Sequence, residues 1–175
     1  MQQKLHSIIL LTGGSRSGKS SYALELAEQY KKKVFIATAQ AMDDEMKARI
    51  SKHREERGES YQTIEEPLEV AKAIASIDDD NSVILLDCLT VWLGNLLYHL
   101  QTEEEREQRL SGFLKLLQSP PCDIIVVTNE VGMGIVPENE LARKFRDAAG
   151  HLNQQVAKLA DKVVFMVSGI PMTIK

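Results

Sequence analysis

The stretch that most limits what this chain can become is Gly13-Gly14-Ser15-Arg16-Ser17-Gly18-Lys19-Ser20, which fits G-x-x-x-x-G-K-[ST]. Before it runs Ile8-Ile9-Leu10-Leu11-Thr12, short, apolar and partly β-branched, as a buried strand should be. After it, residues 21–30 are good helix formers with Tyr22, Leu24, Leu26 and Ala27 as the apolar set. Strand, glycine loop and helix together make an anion site. Glycines let backbone N–H groups converge without a Cβ in the way, and the helix N-terminus adds orphan donors and partial positive charge. In such a loop Lys19 is placed for the β- and γ-phosphates of a nucleoside triphosphate, and the Ser20 hydroxyl for Mg²⁺.

At 175 residues, 43% hydrophobic and 26% charged, the chain predicts one globular domain over 1–175 with a full core. A net charge of −4 argues against a general nucleic-acid binder, so any basic surface is local. No apolar stretch approaches a membrane span and the N-terminus runs straight into the first strand, which predicts a cytoplasmic protein. Cys88 and Cys122 lack metal-ligand spacing and each borders an apolar run, so both are expected as buried free thiols.

Further apolar runs predict strands at 33–38, 82–87, 123–128 and 162–167, with a short alternating one at 61–64. Helices are expected at 43–57, 68–77, 91–100, 103–117 and 138–160, and turns at 78–81 and 168–171, the last leading into an antiparallel edge strand at 172–175. Near-continuous apolar strands alternating with helices predict an α/β fold in three layers, its sheet mostly parallel and covered on both faces.

Asp87 closes the run Val83-Ile84-Leu85-Leu86, at the carboxyl end of a strand, where open α/β sheets bind ligands. It is either the second Mg²⁺-holding acid or a cap on the next helix. Thr128, Asn129 and Glu130 reach the same crevice, as nucleophile-orienting groups or as ordinary loop polarity. On the 43–57 helix, Met46, Ile50, His53 and Arg57 fall on one face, with Arg49 four residues before the histidine. An imidazole between guanidinium groups suits phosphate and stays neutral and nucleophilic, but a solvated cationic face reads the same way.

Beyond these separate features the sequence resembles the bifunctional adenosylcobinamide kinase / adenosylcobinamide-phosphate guanylyltransferase family of cobalamin biosynthesis. The matching stretches are Thr12 with the glycine loop, Ile36-Ala37-Thr38-Ala39, Asp43-Asp44-Glu45-Met46-Lys47-Ala48-Arg49-Ile50 with His53-Arg54, Leu86-Asp87-Cys88-Leu89-Thr90, Trp92-Leu93, Asn95-Leu96-Leu97, and 128–143 (TNEVGMGIVPENELAR). One departure is Arg57-Gly58 followed by Tyr61, where the family usually shows Arg-Pro and then Trp.

The resemblance implies a RecA-like P-loop fold, a homotrimer and two reactions. A kinase step moves the γ-phosphate of ATP or GTP to adenosylcobinamide, and a second step passes GMP from GTP through an enzyme histidine to the corrinoid phosphate. It implies that His53 and Lys19 are catalytic and that Ser20 and Asp87 hold Mg²⁺. Nucleotide contacts would come from Gly13, Gly14, Ser15, Arg16, Ser17, Gly18, Lys19, Ser20, Ala37, Thr38, Ala39, Arg54, Glu55, Glu56, Arg57, Glu65 and Asp87. A monofunctional P-loop kinase is the alternative, and an ATP-driven nucleic-acid switch would need a basic face that the charge balance does not offer.

Overall fold

The structure, a computed structural model, describes residues 5–41, 44–77 and 82–175, without the side chains of Arg49, Lys52, Glu56 and Glu59. The expected turn at 78–81, the start of the charged helix at Asp43, and the side chains of Arg49 and Glu56 therefore lie outside the described residues.

Seven strands form one sheet: β1 (Ile8–Gly13), β2 (Lys32–Ala37), β3 (Tyr61–Glu65), β4 (Ser82–Asp87), β5 (Asp123–Val127), β6 (Lys162–Val167) and β7 (Ile170–Thr173), in the order β3-β2-β4-β5-β1-β6-β7. All neighbours pair parallel except β6 and β7. Helices are α1 (Lys19–Ala27), α2 (Asp44–Arg57), α3 (Val70–Ala75), α4 (Leu89–His99), α5 (Glu103–Gln118) and α6 (Glu140–Leu159). Residues of opposite parity on the same strand enter different cores. Leu10, Ile36 and Leu86 pack with Trp92, Phe113 and Leu152 on one side, while Leu11, Phe35 and Leu85 pack with Ala23 and Ala27 of α1 on the other. The inner strands β1, β2, β4 and β5 therefore have no solvent face, which is why each reads as a largely apolar run, whereas the edge strands β3 and β7 are mostly exposed.

The helix termini differ from the sequence expectations for identifiable reasons. α6 begins two residues later than predicted because Asn139 caps it, its side-chain oxygen accepting from Ala142 N at 3.0 Å. α3 covers only the middle of the 68–77 stretch, since Glu66 Oε1 accepts from Leu68 N and Glu69 N and holds the lead-in as a turn. Before α5, Thr102 and Glu105 form a reciprocal capping box. The last strand is also displaced. Ser168 (φ 51°) and Gly169 (φ 83°) make a two-residue hairpin loop, with positive φ at both positions, and Val167 pairs directly with Ile170. Ile170 and Pro171 thus belong to the strand rather than the turn, and Pro171 is tolerated because β7 is an edge.

Register aligns the carboxyl ends that matter. Ala37 pairs with both Glu65 and Asp87, and Asp87 with Val127, so four strand ends stand level. Beyond them the ladder continues into loops: Thr128 N donates to Leu11 O at 2.9 Å and Glu130 N to Gly13 O at 3.0 Å, binding the 128–130 segment to the start of the glycine loop.

The ring of Phe113 is fully buried and meets Trp92 edge-on at 5.1 Å between centroids. Phe113→Ala should lower unfolding free energy by about 3–5 kcal/mol in urea titrations. A loss below about 1 kcal/mol would show that α5 is not packed on this core.

Candidate active site

The glycine loop leaves β1 with a backbone that only glycine accepts at two places. A Cβ on Gly13 (φ +147°) would lie 2.5 Å from Met166 O, and Gly18 (φ +95°), which precedes α1, sits against the β6–β7 turn. That turn also supports the loop directly, Gly169 N donating to Ser17 O at 3.0 Å. Gly14, Ser15 and Arg16 are exposed at the loop's outer rim, whereas Ser17 and Lys19 are buried. Lys19 Nζ donates to Gly14 O at 2.6 Å, an arrangement that folds the ammonium back under the loop where phosphate oxygens would replace the carbonyl.

From the first residues of α1, Ser20 Oγ donates to Asp87 Oδ2 at 2.7 Å. Two oxygens at a strand's carboxyl end beside a phosphate-binding loop suit a hard cation that takes few protein ligands and fills its other positions with water and phosphate. The two residues therefore fit Mg²⁺.

Ser20 and Asp87 form one wall of a cavity of about 430 Å³. β2 contributes Phe35 and Ala37, β3 contributes Glu65, and α2 contributes Met46, Ile50, His53 and Arg57. The helical face anticipated from the spacing of those four residues thus faces the crevice. α2 has acids (Asp44, Glu45) in its first turn and bases (Arg54, Arg57) in its last, both suited to the helix dipole. It stops at Gly58, whose φ of +63° turns the chain into β3 through a short 3₁₀ turn.

Arg57 is the most constrained cation here. Its guanidinium carbon lies 3.7 Å above the Phe35 ring, its Nε donates to His53 O at 2.9 Å, and its buried Nη1 has no hydrogen-bond partner among the described residues. Burial, then the like charge of Arg54, lowers its pKa, while Asp87 and Glu65 oppose the shift. Arginine nevertheless stays protonated at neutral pH. As a cation lining the cavity, Arg57 offers positive charge to an anionic ligand.

The remaining candidates divide. Ala39 lines the cavity, but Thr38 faces the other side of β2. Its hydroxyl is engaged with the Cys88 backbone, accepting from N and donating to O at 2.9 Å each. Arg54 and Glu55 are exposed, and Arg54 Nη2 donates to Glu65 Oε1 at 2.6 Å. The hydroxyls of Thr90 and Thr128 lie 3.2 Å apart, and Thr128 also donates to Asn153 Oδ1, so Thr128 is committed within the fold. Phe35 was missed from sequence. It sits two residues before Ala37 on the same side of β2, and that parity was the available signal.

Comparison with known proteins places the chain in context. The Cobinamide kinase / cobinamide phosphate guanyltransferase family profile matches residues 9–174. The "Bifunctional adenosylcobalamin biosynthesis protein CobU" of Escherichia coli is 41% identical, covering 96% of this chain and 99% of that protein. The "Bifunctional adenosylcobalamin biosynthesis protein CobP" of Pseudomonas aeruginosa is 44% identical, covering 95% and 96%. Among solved structures, an ATPase of a bacterial type III secretion system (TM-score 0.56, 12% identity, 95% of this chain and 56% of that one) shares the fold. So does the RadB recombinase (0.52, 16%, 91% and 73%). Both share the α/β P-loop fold that the family resemblance implied.

Cys88, next to Asp87, also lines the cavity. Burial, then the Asp87 charge, pushes its thiol up to about 12, and both cysteines are free and buried. At pH 8 the folded protein should therefore resist iodoacetamide at Cys88 until denaturant is added, read by mass spectrometry of the peptide. Stoichiometric labelling of the native protein at that pH would contradict the environment described.

Proposed function

The chain belongs to the cobinamide kinase / cobinamide phosphate guanyltransferase family, and on that premise we propose that this one crevice runs both reactions of a bifunctional enzyme of cobalamin biosynthesis. It phosphorylates adenosylcobinamide with ATP or GTP and then transfers GMP from GTP, through His53, to give adenosylcobinamide-GDP. The observation that carries this reading is that His53 lines the same cavity as Ser20 and Asp87, although 33 positions separate it from Ser20 in sequence.

For phosphoryl transfer, the amides of the 13–20 loop and Lys19 hold the β- and γ-phosphates. The corrinoid hydroxyl oxygen attacks the γ-phosphorus in line, the bond from that phosphorus to the β–γ bridging oxygen breaks, and the nucleoside diphosphate leaves while the hydroxyl proton passes to water. Ser20 and Asp87 would hold Mg²⁺, which supplies charge neutralisation on the phosphate oxygens when bound.

For guanylyl transfer, a ring nitrogen of His53 attacks the α-phosphorus of GTP. A P–N bond forms as the α–β bridging P–O bond breaks and pyrophosphate leaves, its charge received by Lys19 and the loop amides. An oxygen of the corrinoid phosphate then attacks the same phosphorus and the P–N bond breaks, returning neutral imidazole. Arg57, a cation lining the cavity, holds the transferred phosphate or the base edge beside Glu65.

The same reading includes a cytoplasmic homotrimer. What supports assembly is the exposed apolar set Met133, Ile135, Val136 and Leu141, with Ile170, Met172 and Ile174 of the β7 region. Among the described residues no helix is long and apolar enough to cross a membrane.

Two variants separate the steps. His53→Ala should form no adenosylcobinamide-GDP while keeping at least about a third of the kinase rate, because it removes only the covalent acceptor. Lys19→Ala should lose both activities by about 100-fold or more. Wild-type formation of adenosylcobinamide-GDP by His53→Ala would refute the histidine route.

A further inference from the structure

α4 presents Trp92, Asn95 and His99 at i, i+3 and i+7, on one face. Each is hydrogen-bonded to the chain at or near the ends of the 38–67 segment that carries α2. Trp92 Nε1 donates to Leu68 O at 3.0 Å, and His99 Nε2 lies 2.8 Å from Gln40 Oε1. Between them, Asn95 Nδ2 donates to Thr38 O at 2.7 Å and to Pro67 O at 3.2 Å, one N–H for each carbonyl. Those two carbonyls lie just past the last paired positions of β2 and β3, Ala37 and Glu65; Thr38 is anchored by its N on Asp87 O and its hydroxyl on Cys88, so Asn95 ties Pro67 to a fixed point. Asn95 itself is not among the residues lining the cavity.

We propose that Asn95 is a positioning residue for guanylyl transfer: by tying Thr38 to Pro67 it fixes where the α2 connection departs and so where His53 stands in the crevice. It rests on the assignment of His53 as the GMP acceptor. The phosphate loop and Ser20 are held by β1 and α1, and Asp87, although its carbonyl accepts from Thr38 N at 3.3 Å, is also held by the pairing of β4 with β5 and by the Ser20 hydroxyl. Loss of the clamp therefore acts on the step that needs the imidazole and spares the step that does not. The sequence pattern Trp92-Leu93-x-Asn95 thereby acquires a physical role.

Asn95→Asp keeps the volume but sets a carboxylate against two carbonyl oxygens, and Asn95→Ala removes the donor without adding charge. The full-length variants would be given α-³²P GTP and Mg²⁺ to follow GMP bound to protein in a single turnover, alongside corrinoid phosphorylation, nucleotide affinity and thermal melting. Both variants should incorporate GMP about 10-fold or more slowly at saturating GTP, because small misplacement of a reacting group is costly. Phosphorylation and nucleotide affinity should stay within about 3-fold, since the P-loop is untouched. A parallel fall in both activities, or GMP incorporation at the wild-type rate, overturns the proposal. His53→Ala run beside them separates the two ideas. If it still takes up GMP, the acceptor assignment fails and this proposal with it. If it does not, while Asn95→Asp is labelled normally, only the role of Asn95 fails.

Discussion

Parallel pairing in register is the constraint on which the chemistry depends. Ala37 stands level with Glu65 and Asp87, and Asp87 with Val127, so the chain leaves four strands at one edge and every loop there opens into the same crevice. β1 carries its pairing further outward through Glu130 N on Gly13 O, which sets the phosphate loop against the 128–130 segment. A slip of one residue in any of these pairs would turn the terminal side chains to the opposite face of the sheet. Asp87 would then no longer receive the Ser20 hydroxyl, and Phe35 would no longer lie beneath Arg57.

On that edge the enzyme sets two kinds of support. The phosphate loop is rigid and buried beneath its rim, braced by the β6–β7 turn and by glycines that no other residue could replace. α2 has a different character. Asp44, Glu45, Lys47, Arg54 and Glu55 are exposed, Arg57 is buried, and Met46 and Ile50 line the cavity. Such a helix gains little from core burial, so its placement rests on contacts at its ends and on the cation–π stack of Arg57 over Phe35. The division fits the proposed chemistry, in which one half of the site grips phosphates in both reactions and the other half delivers a nucleophile in only one.

Much of this was legible in the residues. Five core strands were visible as apolar runs because burial on both faces leaves no alternation to obscure them. The glycine loop announced its fold, and the spacing of Met46, Ile50, His53 and Arg57 gave the face that the cavity uses. What could not be read were features set by tertiary partners. Asn139 and Glu66 decide where α6 and α3 begin, and apolar periodicity does not report a cap. Pro171 looked like a turn residue and is instead an edge-strand residue, since only the sheet order shows that no partner needs its missing N–H. Asn95 was conspicuous as a motif, but nothing in the sequence said that its amide spans two carbonyls 29 positions apart.

The central claim is that an imidazole on α2 shares the crevice of the phosphate loop closely enough to take GMP from a bound triphosphate. Its most direct measurement is mass-spectrometric mapping of the protein after brief reaction with GTP and Mg²⁺ under alkaline work-up, which preserves a phosphoramidate. The account predicts a single GMP adduct on His53, stable to alkali and lost in acid. An adduct on a lysine or on another histidine, with His53 unmodified, would contradict it.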